Sequence, residues 1–313
     1  MPNIRWPRKG SMQFWPRVRA KRETARIRSW ATINETKPLG FAGYKVGMTH
    51  IIGLDPKNKP LPASWPVSII ECPPLKTIGF RFYKNSQPLY QILSDSQGKF
   101  LQRRLILPKN KNAKEINDYD DLRLIISTQP SLTGIGKKKP EIFEMALGGN
   151  KEDKLKFAQQ KLAKDILITE VFKEGAQVDT HIISKGKGFQ GPMKRFGISR
   201  RQHKSEKSIR NPGSLGAWQA QGQTMYRTAH AGKMGYHLRT EYNKHILKIG
   251  QHEELSMNGG WLHYGTIKNT YVMIKGSISG PPKRLVRFNF AIRPNYKVKD
   301  AIPINYISLV SKQ

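Results

Sequence analysis

The chain has 313 residues, and its 55 Lys and Arg against 22 Asp and Glu give it a formal charge of +33. A compact domain with that imbalance repels itself, so the composition excludes an ordinary soluble enzyme and leaves nucleic acid or an anionic membrane surface as the partner to weigh. The single cysteine, Cys72, also excludes an intramolecular disulfide framework and a zinc site built on several thiolates.

The distribution of apolar and charged residues narrows the partner further. No stretch approaches the ~18 consecutive apolar residues of a membrane span, and no apolar segment follows the N-terminal basic residues as a secretory signal would require. We therefore expect a cytoplasmic protein without a membrane partner. Residues 1–30 carry a net charge of +8 and residues 185–248 carry +12, whereas residues 85–175 carry only +4.

The first 36 residues are predicted to form a basic N-terminal arm. They contain several prolines and show no helical or strand period, and three tryptophans lie among the arginines and lysines. This mixture favours RNA contact, because rings and guanidinium planes stack on bases while the charges meet phosphates. A disordered basic tail or a nuclear signal is the alternative. The predicted RNA-binding residues of the arm are Arg5, Arg8, Lys9, Arg17, Arg19, Lys21 and Arg22.

Short segments rich in β-branched and aromatic residues follow the arm, and Gly and Pro separate them. One of these segments resembles a hairpin that turns at Lys268–Asn269. Many short strands at this spacing indicate a closed barrel rather than a parallel sheet. The predicted strand regions are 39–54, 67–83, 122–126, 166–172, 178–183, 261–275 and 285–292.

Helical patterns occur only in the charge-balanced part of the chain. One helix is predicted where Asn150 can cap the N-terminus and Leu155, Ala158 and Leu162 share a face. A shorter helix is expected over 140–147, where two glycines follow. These helices indicate an α/β insertion between the strands of the barrel.

The hexapeptide GKGFQG at 186–191 matches the dinucleotide-binding fingerprint G-x-G-x-x-G. The fingerprint requires a following helix packed on a parallel sheet and an acid about 20 residues further on. The residues that follow carry no apolar stripe, and Glu206 lies only 15 residues past Gly191. We therefore expect no nucleotide cofactor and interpret the glycines as allowing the backbone to approach a phosphate. The histidines lack cysteine partners and are scattered, so no metal site is expected.

Residues 185–250 combine many cations with glycines and few bulky apolar residues, over a length unusual for a loop. We expect this central finger to acquire its shape against RNA, although a solvated surface is the alternative for any single cation. Small residues flank Trp218, which predicts a loop tip that stacks on a base; a ring folded back on the protein is the alternative. The predicted RNA-binding residues of the finger are Lys185, Lys187, Lys194, Arg195, Arg200, Arg201, His203, Lys204, Lys207, Arg210, Trp218, Arg227, His230, Lys233, Arg239 and Lys244.

Long ordered motifs carry a family resemblance over nearly the whole chain. They include GFAGYKVGMTH at 40–50, GKGFQG followed by Arg195, AGKMGYHLRTEYNKHILKIG at 231–250 and GWLHYGTIKNTYVMIKGSISGPPKR at 260–284. With these motifs the chain resembles the universal large-subunit ribosomal protein three family, in its archaeal form.

The resemblance implies a mainly β fold, a six-stranded translation-protein-type β-barrel interrupted by an α/β insertion. Two basic extensions, the N-terminal arm and the central finger, would reach from this body into rRNA. The implied segments are the arm 1–36, barrel parts 37–84, 171–184 and 251–313, the insertion 85–170 and the finger 185–250.

The resemblance also implies a structural role without catalysis. The chain would bind 23S-type large-subunit rRNA, support early assembly of the subunit and place Trp218 near the peptidyl-transferase region. Its implied partners are this rRNA and neighbouring large-subunit proteins, with no small-molecule substrate and no cofactor. Structural Mg or K ions would be held only through the rRNA. A nucleotide-binding enzyme and a free nucleic-acid chaperone remain the alternative functions.

Overall fold

Strands dominate the secondary structure in this computed structural model, which confirms the prediction of a mainly β fold. The basic unit consists of Met1–Arg22 and Ile183–Leu238, and the larger unit of Glu23–Ile182 and Arg239–Gln313. Among the described residues, no helix is long and apolar enough to cross a membrane. The structure describes residues 7–54, 62–94, 98–106, 118–216, 224–298 and 301–310.

The strands and helices are numbered separately, in the order in which they occur along the chain. They are β1 (Gly40–Leu54), β2 (Pro62–Glu71), β3 (Leu75–Lys84), β4 (Gln87–Leu93), β5 (Asp121–Ser127), β6 (Ile142–Ala146), α1 (Lys151–Gln160), β7 (Asp165–Ile166), α2 (Ile168–Val171), β8 (Gln177–Ile183), β9 (Gly186–Gln190), α3 (Pro192–Phe196), β10 (Gly232–Gly235), β11 (Leu238–Gly250), β12 (Tyr271–Lys275), β13 (Leu285–Phe290) and β14 (Ile304–Ile307). Single 3-10 turns lie at Met12–Phe14, Leu101–Arg103, Pro130–Leu132 and His252–Leu255.

A seven-stranded sheet forms the centre of the larger unit, with the strand order β13-β8-β11-β12-β2-β1-β14. Strand β13 also pairs with β1, in a register that sets Phe41 opposite Phe288 and Tyr44 opposite Leu285. Six strands therefore form a closed circle of pairings, and β14 lies outside it, against β1. Closure leaves these six strands without a free edge, and it encloses a core in which Phe41, Tyr44 and Phe288 are almost fully buried.

A second sheet of five strands has the order β4-β3-β5-β6, with β7 paired to β3. Helix α1 adds Ala158 to the core, and Leu155 and Leu162 pack against it, as predicted from their spacing. Asn150 occupies the predicted N-cap position, although its side chain makes no capping hydrogen bond. The sheet begins at Leu75, ten residues before the predicted start of the insertion. The physical reason is Pro73–Pro74, which cannot donate to a ladder and so separates β2 from β3.

Two short apolar segments have the opposite secondary structure to the predicted one. The helix expected at 140–147 is strand β6, whose Phe143 and Met145 are buried and pair with β5. The strand expected at 166–172 is instead the two-residue β7 followed by helix α2, because Ile168 and Val171 are buried three residues apart while Leu167 is exposed. Short apolar runs do not separate helix from strand by composition alone.

The hairpin predicted at 261–275 is also wrong, because only β12 is a strand. The buried Glu71 carboxylate explains the difference. Its Oε1 accepts hydrogen bonds from the backbone N–H of Lys268 at 2.9 Å and of Asn269 at 3.0 Å, so these donors are not available to a ladder. The strands predicted at 39–54, 122–126, 178–183 and 285–292 are confirmed.

The predicted segment boundaries shift at both basic extensions. The second part of the arm belongs to the larger unit, where Ala25 and Ile27 are buried and the Ala25 carbonyl accepts a hydrogen bond of 2.9 Å from Arg287 Nη1. The last part of the predicted finger is β11, a member of the central sheet. Apolar residues at Ile246 and Ile249 lie in the part of this strand that pairs with β12, so the finger ends near residue 238 rather than 250.

Candidate nucleic-acid interface

Charge sets the basic unit apart from the rest of the chain. Its 78 residues contain eighteen Lys and Arg and a single acid, Glu206, for a net charge of +17. Half of the excess charge therefore lies in a quarter of the sequence. Ion pairing within the unit can neutralise very little of this charge, so a compact unit of this composition calls for an external anion.

A two-stranded antiparallel ribbon, β9 with β10, organises the finger part of the unit. Gly235 has a φ of +74°, and a Cβ at this position would lie 2.0 Å from the carbonyl oxygen of Lys185. Glycine is therefore required at this position, where β10 passes close to the backbone at the start of β9. The ribbon leads into α3, which ends at Gly197 in the left-handed conformation with a φ of +70°.

Aromatic side chains form the interior of the basic unit and join the arm to the finger. Trp15 of the arm stacks on Phe196 of α3, with the ring centroids 5.8 Å apart and the planes 30° apart. Tyr226 meets the same indole edge-on at 5.8 Å. Phe196 is buried, whereas the Tyr226 side chain is exposed. This contact gives the arm an ordered partner within the protein itself.

Two arginines complete this junction by reciprocal hydrogen bonds. Arg17 Nη1 donates to the Arg195 carbonyl at 3.0 Å, and Arg195 Nη2 donates to the Arg17 carbonyl at 3.4 Å. Both guanidinium groups also lie over the Phe196 ring, at 4.5 Å and 5.2 Å from its centroid. Carbonyl oxygens and a π-face thus hold the two cations together.

Further contacts continue the junction along the arm. The Ala20 N–H donates to the Tyr236 carbonyl at 2.8 Å, and the Arg19 guanidinium lies 5.2 Å from the centroid of the Tyr236 ring. His237 Nδ1 is 2.7 Å from the Val18 carbonyl. Because an oxygen that only accepts faces this nitrogen, Nδ1 carries a proton. The arm is therefore fixed to the finger along several residues.

Most of the predicted RNA-binding residues are exposed on this unit. Arg17 and Arg195 are the exceptions, since each is partly buried in the junction. Arg5 and Trp218 lie outside the described residues. The exposed members are Arg8, Lys9, Arg19, Lys21, Arg22, Lys185, Lys187, Lys194, Arg200, Arg201, His203, Lys204, Lys207, Arg210, Arg227, His230 and Lys233.

Arg239 and Lys244 belong to the larger unit, on β11. Burial lowers the pKa of the Arg239 guanidinium. Lys244 Nζ donates to the Ser277 carbonyl at 2.8 Å and lies 3.0 Å from Glu241 Oε2, so its ammonium has partners within the protein. RNA contact by these two residues stays a prediction, and Lys244 has the geometry of a structural cation.

The sequence pattern predicts only some of the aromatic contacts in the basic unit. The arm tryptophans lie among arginines, but no pattern indicates that Phe196 anchors Trp15. Phe189 and Tyr226 are exposed by 73% and 71%, large values for rings of this size. Their signal in the sequence is an aromatic residue within a segment rich in cations and glycines.

The first five residues of the GKGFQG segment form strand β9. Strand β9 pairs with β10 in a two-stranded ribbon rather than a parallel sheet, and the helix that follows has only five residues. Among the residues that the structure describes, no group of three or more His, Cys, Asp or Glu could hold a metal ion. The chemistry offered by this surface is cation and π-face contact with a polyanion.

Comparison with known proteins places this arrangement in a family. The sequence model described as Ribosomal protein L3 matches residues 1–116 and 107–313. The chain is 44% identical to "Large ribosomal subunit protein uL3" of Methanothermobacter thermautotrophicus, over 98% of each chain. It is 44% identical to the protein of that name from Archaeoglobus fulgidus, again over 98% of each, and 42% identical to that of Nanoarchaeum equitans, over 98% of this chain and 97% of the relative.

Proposed function

Because the chain belongs to the ribosomal protein L3 family, we propose that it is a structural constituent of the large ribosomal subunit that binds 23S-type rRNA. The relatives are ribosomal proteins and not enzymes, so the chain has no catalytic activity to explain. Its further partners under this proposal are neighbouring large-subunit proteins, and its location is the ribosome in the cytoplasm. Any Mg or K ions near it are held through the rRNA.

The basic unit is the observation that carries this proposal. Eighteen cations and one acid are held in a folded unit by rings and carbonyl oxygens. RNA phosphates offset the mutual repulsion of these cations, and release of condensed counterions from the RNA favours binding. A prefolded arm and finger also lose less conformational entropy on binding than two disordered tails would.

Three finer proposals concern the fold of the body, the assembly of the subunit and the tip of the finger. The closed circle of six strands supports a six-stranded barrel of the translation-protein type, with the five-stranded sheet as its insertion. The family resemblance supports a role in early subunit assembly and a finger tip, at Trp218, beside the peptidyl-transferase region. Hydroxyl-radical cleavage directed from residue 218 tests the tip, and cleavage confined to distant rRNA would contradict it.

Salt dependence tests the rRNA-binding proposal directly. If about ten cations meet phosphates, log Kobs for transcribed large-subunit rRNA falls with log salt at a slope of roughly −7 to −9. Replacing Lys194, Lys204 and Lys207 with Gln makes that slope shallower by about 2–3, since each lost phosphate contact removes ~0.7–0.9. Filter binding or fluorescence anisotropy at several salt concentrations measures it.

The matched control replaces Lys138, Lys151 and Lys156 with Gln. These lysines are exposed on the larger unit, in its charge-balanced part, and removing them lowers the net charge by the same three units. The slope is expected to stay at its original value. Equal changes in the two variants would mean that overall charge, and not the basic unit, drives binding. A chain that washes off isolated large subunits at moderate salt would favour a free nucleic-acid chaperone instead.

A further inference from the structure

One face of the ribbon carries an exposed aromatic side chain beside a cation. The pairing register shifts by one residue between Gly186 and Phe189, where Gly188 has a φ of +67°, so the alternation of side chains does not carry Lys187 onto the face of Phe189. Lys233 is the residue directly opposite Phe189 on β10, which places its side chain on the same face as the Phe189 ring. Both of these side chains are exposed.

The surroundings of Phe189 are open. Gly188 and Gly191 flank it closely in sequence, and a Cβ built at either position meets no atom within 4 Å. Gly188 has a φ of +67°, a conformation that glycine adopts without strain. The ring is therefore accessible to a flat partner, and the backbone beside it leaves room for a bulky one.

Burying a phenylalanine side chain stabilises a fold, and this ribbon leaves it 73% exposed. Cores of protein–protein interfaces are depleted of lysine, so the exposed Lys233 beside the ring argues against a protein as the partner. A nucleic-acid base presents a π-face to the ring, and its backbone presents phosphates to the lysine. Bases within an A-form duplex are stacked on one another, so the base must come from a bulge, a loop or a single strand.

We propose that Phe189 stacks on an unstacked base of the large-subunit rRNA, with Lys233 against a neighbouring phosphate. This inference rests on the proposed function. It adds a contact of a different kind. Stacking selects a nucleotide whose base is not stacked within an RNA helix, whereas the cations of the basic unit can meet phosphates whatever the secondary structure of the RNA.

Binding of the full chain to transcribed large-subunit rRNA tests the inference. Phe189→Ala is expected to weaken binding by about 5-fold to 150-fold, which is the usual effect of removing one stacking ring. Phe189→Trp retains a flat π-face and most of the affinity, whereas Phe189→Leu keeps apolar volume but loses the face and weakens binding as alanine does. Phe189 is exposed, so all three variants are expected to unfold at the temperature of the original chain.

Salt titration separates this contact from the phosphate contacts. Phe189→Ala removes no cation and leaves the slope of log Kobs against log salt unchanged, whereas Lys233→Gln makes it shallower by about 0.7–0.9. Unchanged affinity of Phe189→Ala, or full affinity of Phe189→Leu, would overturn the stacking inference while leaving rRNA binding intact. Unchanged rRNA affinity with poor incorporation into reconstituted subunits would assign Phe189 to a protein partner and equally overturn it. No rRNA binding by the original chain would overturn the proposed function itself.

Discussion

Replacing Glu71 with alanine is expected to lower the free energy of unfolding of the larger unit by about 3–5 kcal/mol. The Glu71 side chain is buried between β2 and the loop before β12, and it accepts four hydrogen bonds. Its Oε1 accepts from the backbone N–H groups of Lys268 and Asn269 and, at 2.7 Å, from Asn269 Nδ2, while Oε2 accepts from the Tyr264 hydroxyl. Alanine would remove the acceptor of the buried Tyr264 hydroxyl and of the two backbone N–H groups, whereas Asn269 Nδ2 would keep the Leu132 carbonyl at 3.1 Å.

The same carboxylate affects its neighbours electrostatically. Burial, followed by the charge of Glu71, raises the pKa of Tyr264, and the same two causes raise the pKa of the Cys72 thiol. Tyr264 therefore stays protonated and remains a donor throughout the physiological range. All four groups that contact the carboxylate donate hydrogen bonds to it, so the loop before β12 requires a hydrogen-bond acceptor at position 71.

Glu71→Gln is the matched control for this prediction. Its amide oxygen can replace Oε1 for the three N–H donors, and its Nε2 can donate to the Tyr264 oxygen, so the expected loss is only about 1 kcal/mol. Urea unfolding of the full chains, followed by circular dichroism, measures both. Equal losses in the two variants would show that the negative charge, and not the set of hydrogen bonds, supports the loop.

Replacing Phe196 with alanine is expected to release the arm from the finger, because its ring is the surface on which Trp15 and two guanidinium groups pack. Phe→Ala substitutions at buried positions cost about 3–5 kcal/mol, and the described part of the basic unit has few other buried apolar side chains to compensate. The loss is local: amide exchange in residues 7–22 rises by about two to three orders of magnitude, while exchange in the larger unit stays unchanged.

Hydrogen exchange followed by mass spectrometry measures the exchange rate of the arm amides. The Ala20 amide is the most direct probe, because it donates a hydrogen bond to the Tyr236 carbonyl across the junction. Phe196→Leu keeps much of the buried volume but not the π-face under Arg17 and Arg195, so it should give an intermediate increase. Exchange in the arm that does not change in Phe196→Ala would contradict the junction. In that event, RNA contact would remain the only source of order for the arm.

The sequence pattern locates strands well where the apolar pattern is long or alternates. Strand β1 is 15 residues long, and strand β13 alternates at Val286, Phe288 and Phe290, so both are predicted. The pattern fails at β6 and α2, because five or fewer apolar residues are compatible with either conformation, and at β6 pairing with the distant strand β5 decides. It fails again at the loop before β12, where a single carboxylate 197 residues away along the chain takes up the backbone donors.

Composition locates the candidate interface but does not show its construction. The concentration of charge in two segments is visible from the sequence, and so is the mixture of aromatic and basic residues. The junction of Arg17 with Arg195 is not visible, because it consists of side chains donating to carbonyl oxygens, which every residue possesses. Such contacts leave no periodic or compositional trace, so the order of the arm could not be predicted.

The junction also has a consequence in time. Arg17 and Arg195 are 178 residues apart, and translation at ~5–20 residues per second separates their synthesis by roughly 10–35 s. During that interval the arm has left or is leaving the polymerising ribosome while its folding partner has not been made. Its cations are then accessible to other RNA molecules in the cell. Any partner that shields these cations must therefore bind the growing chain before Arg195 and Phe196 have been synthesised.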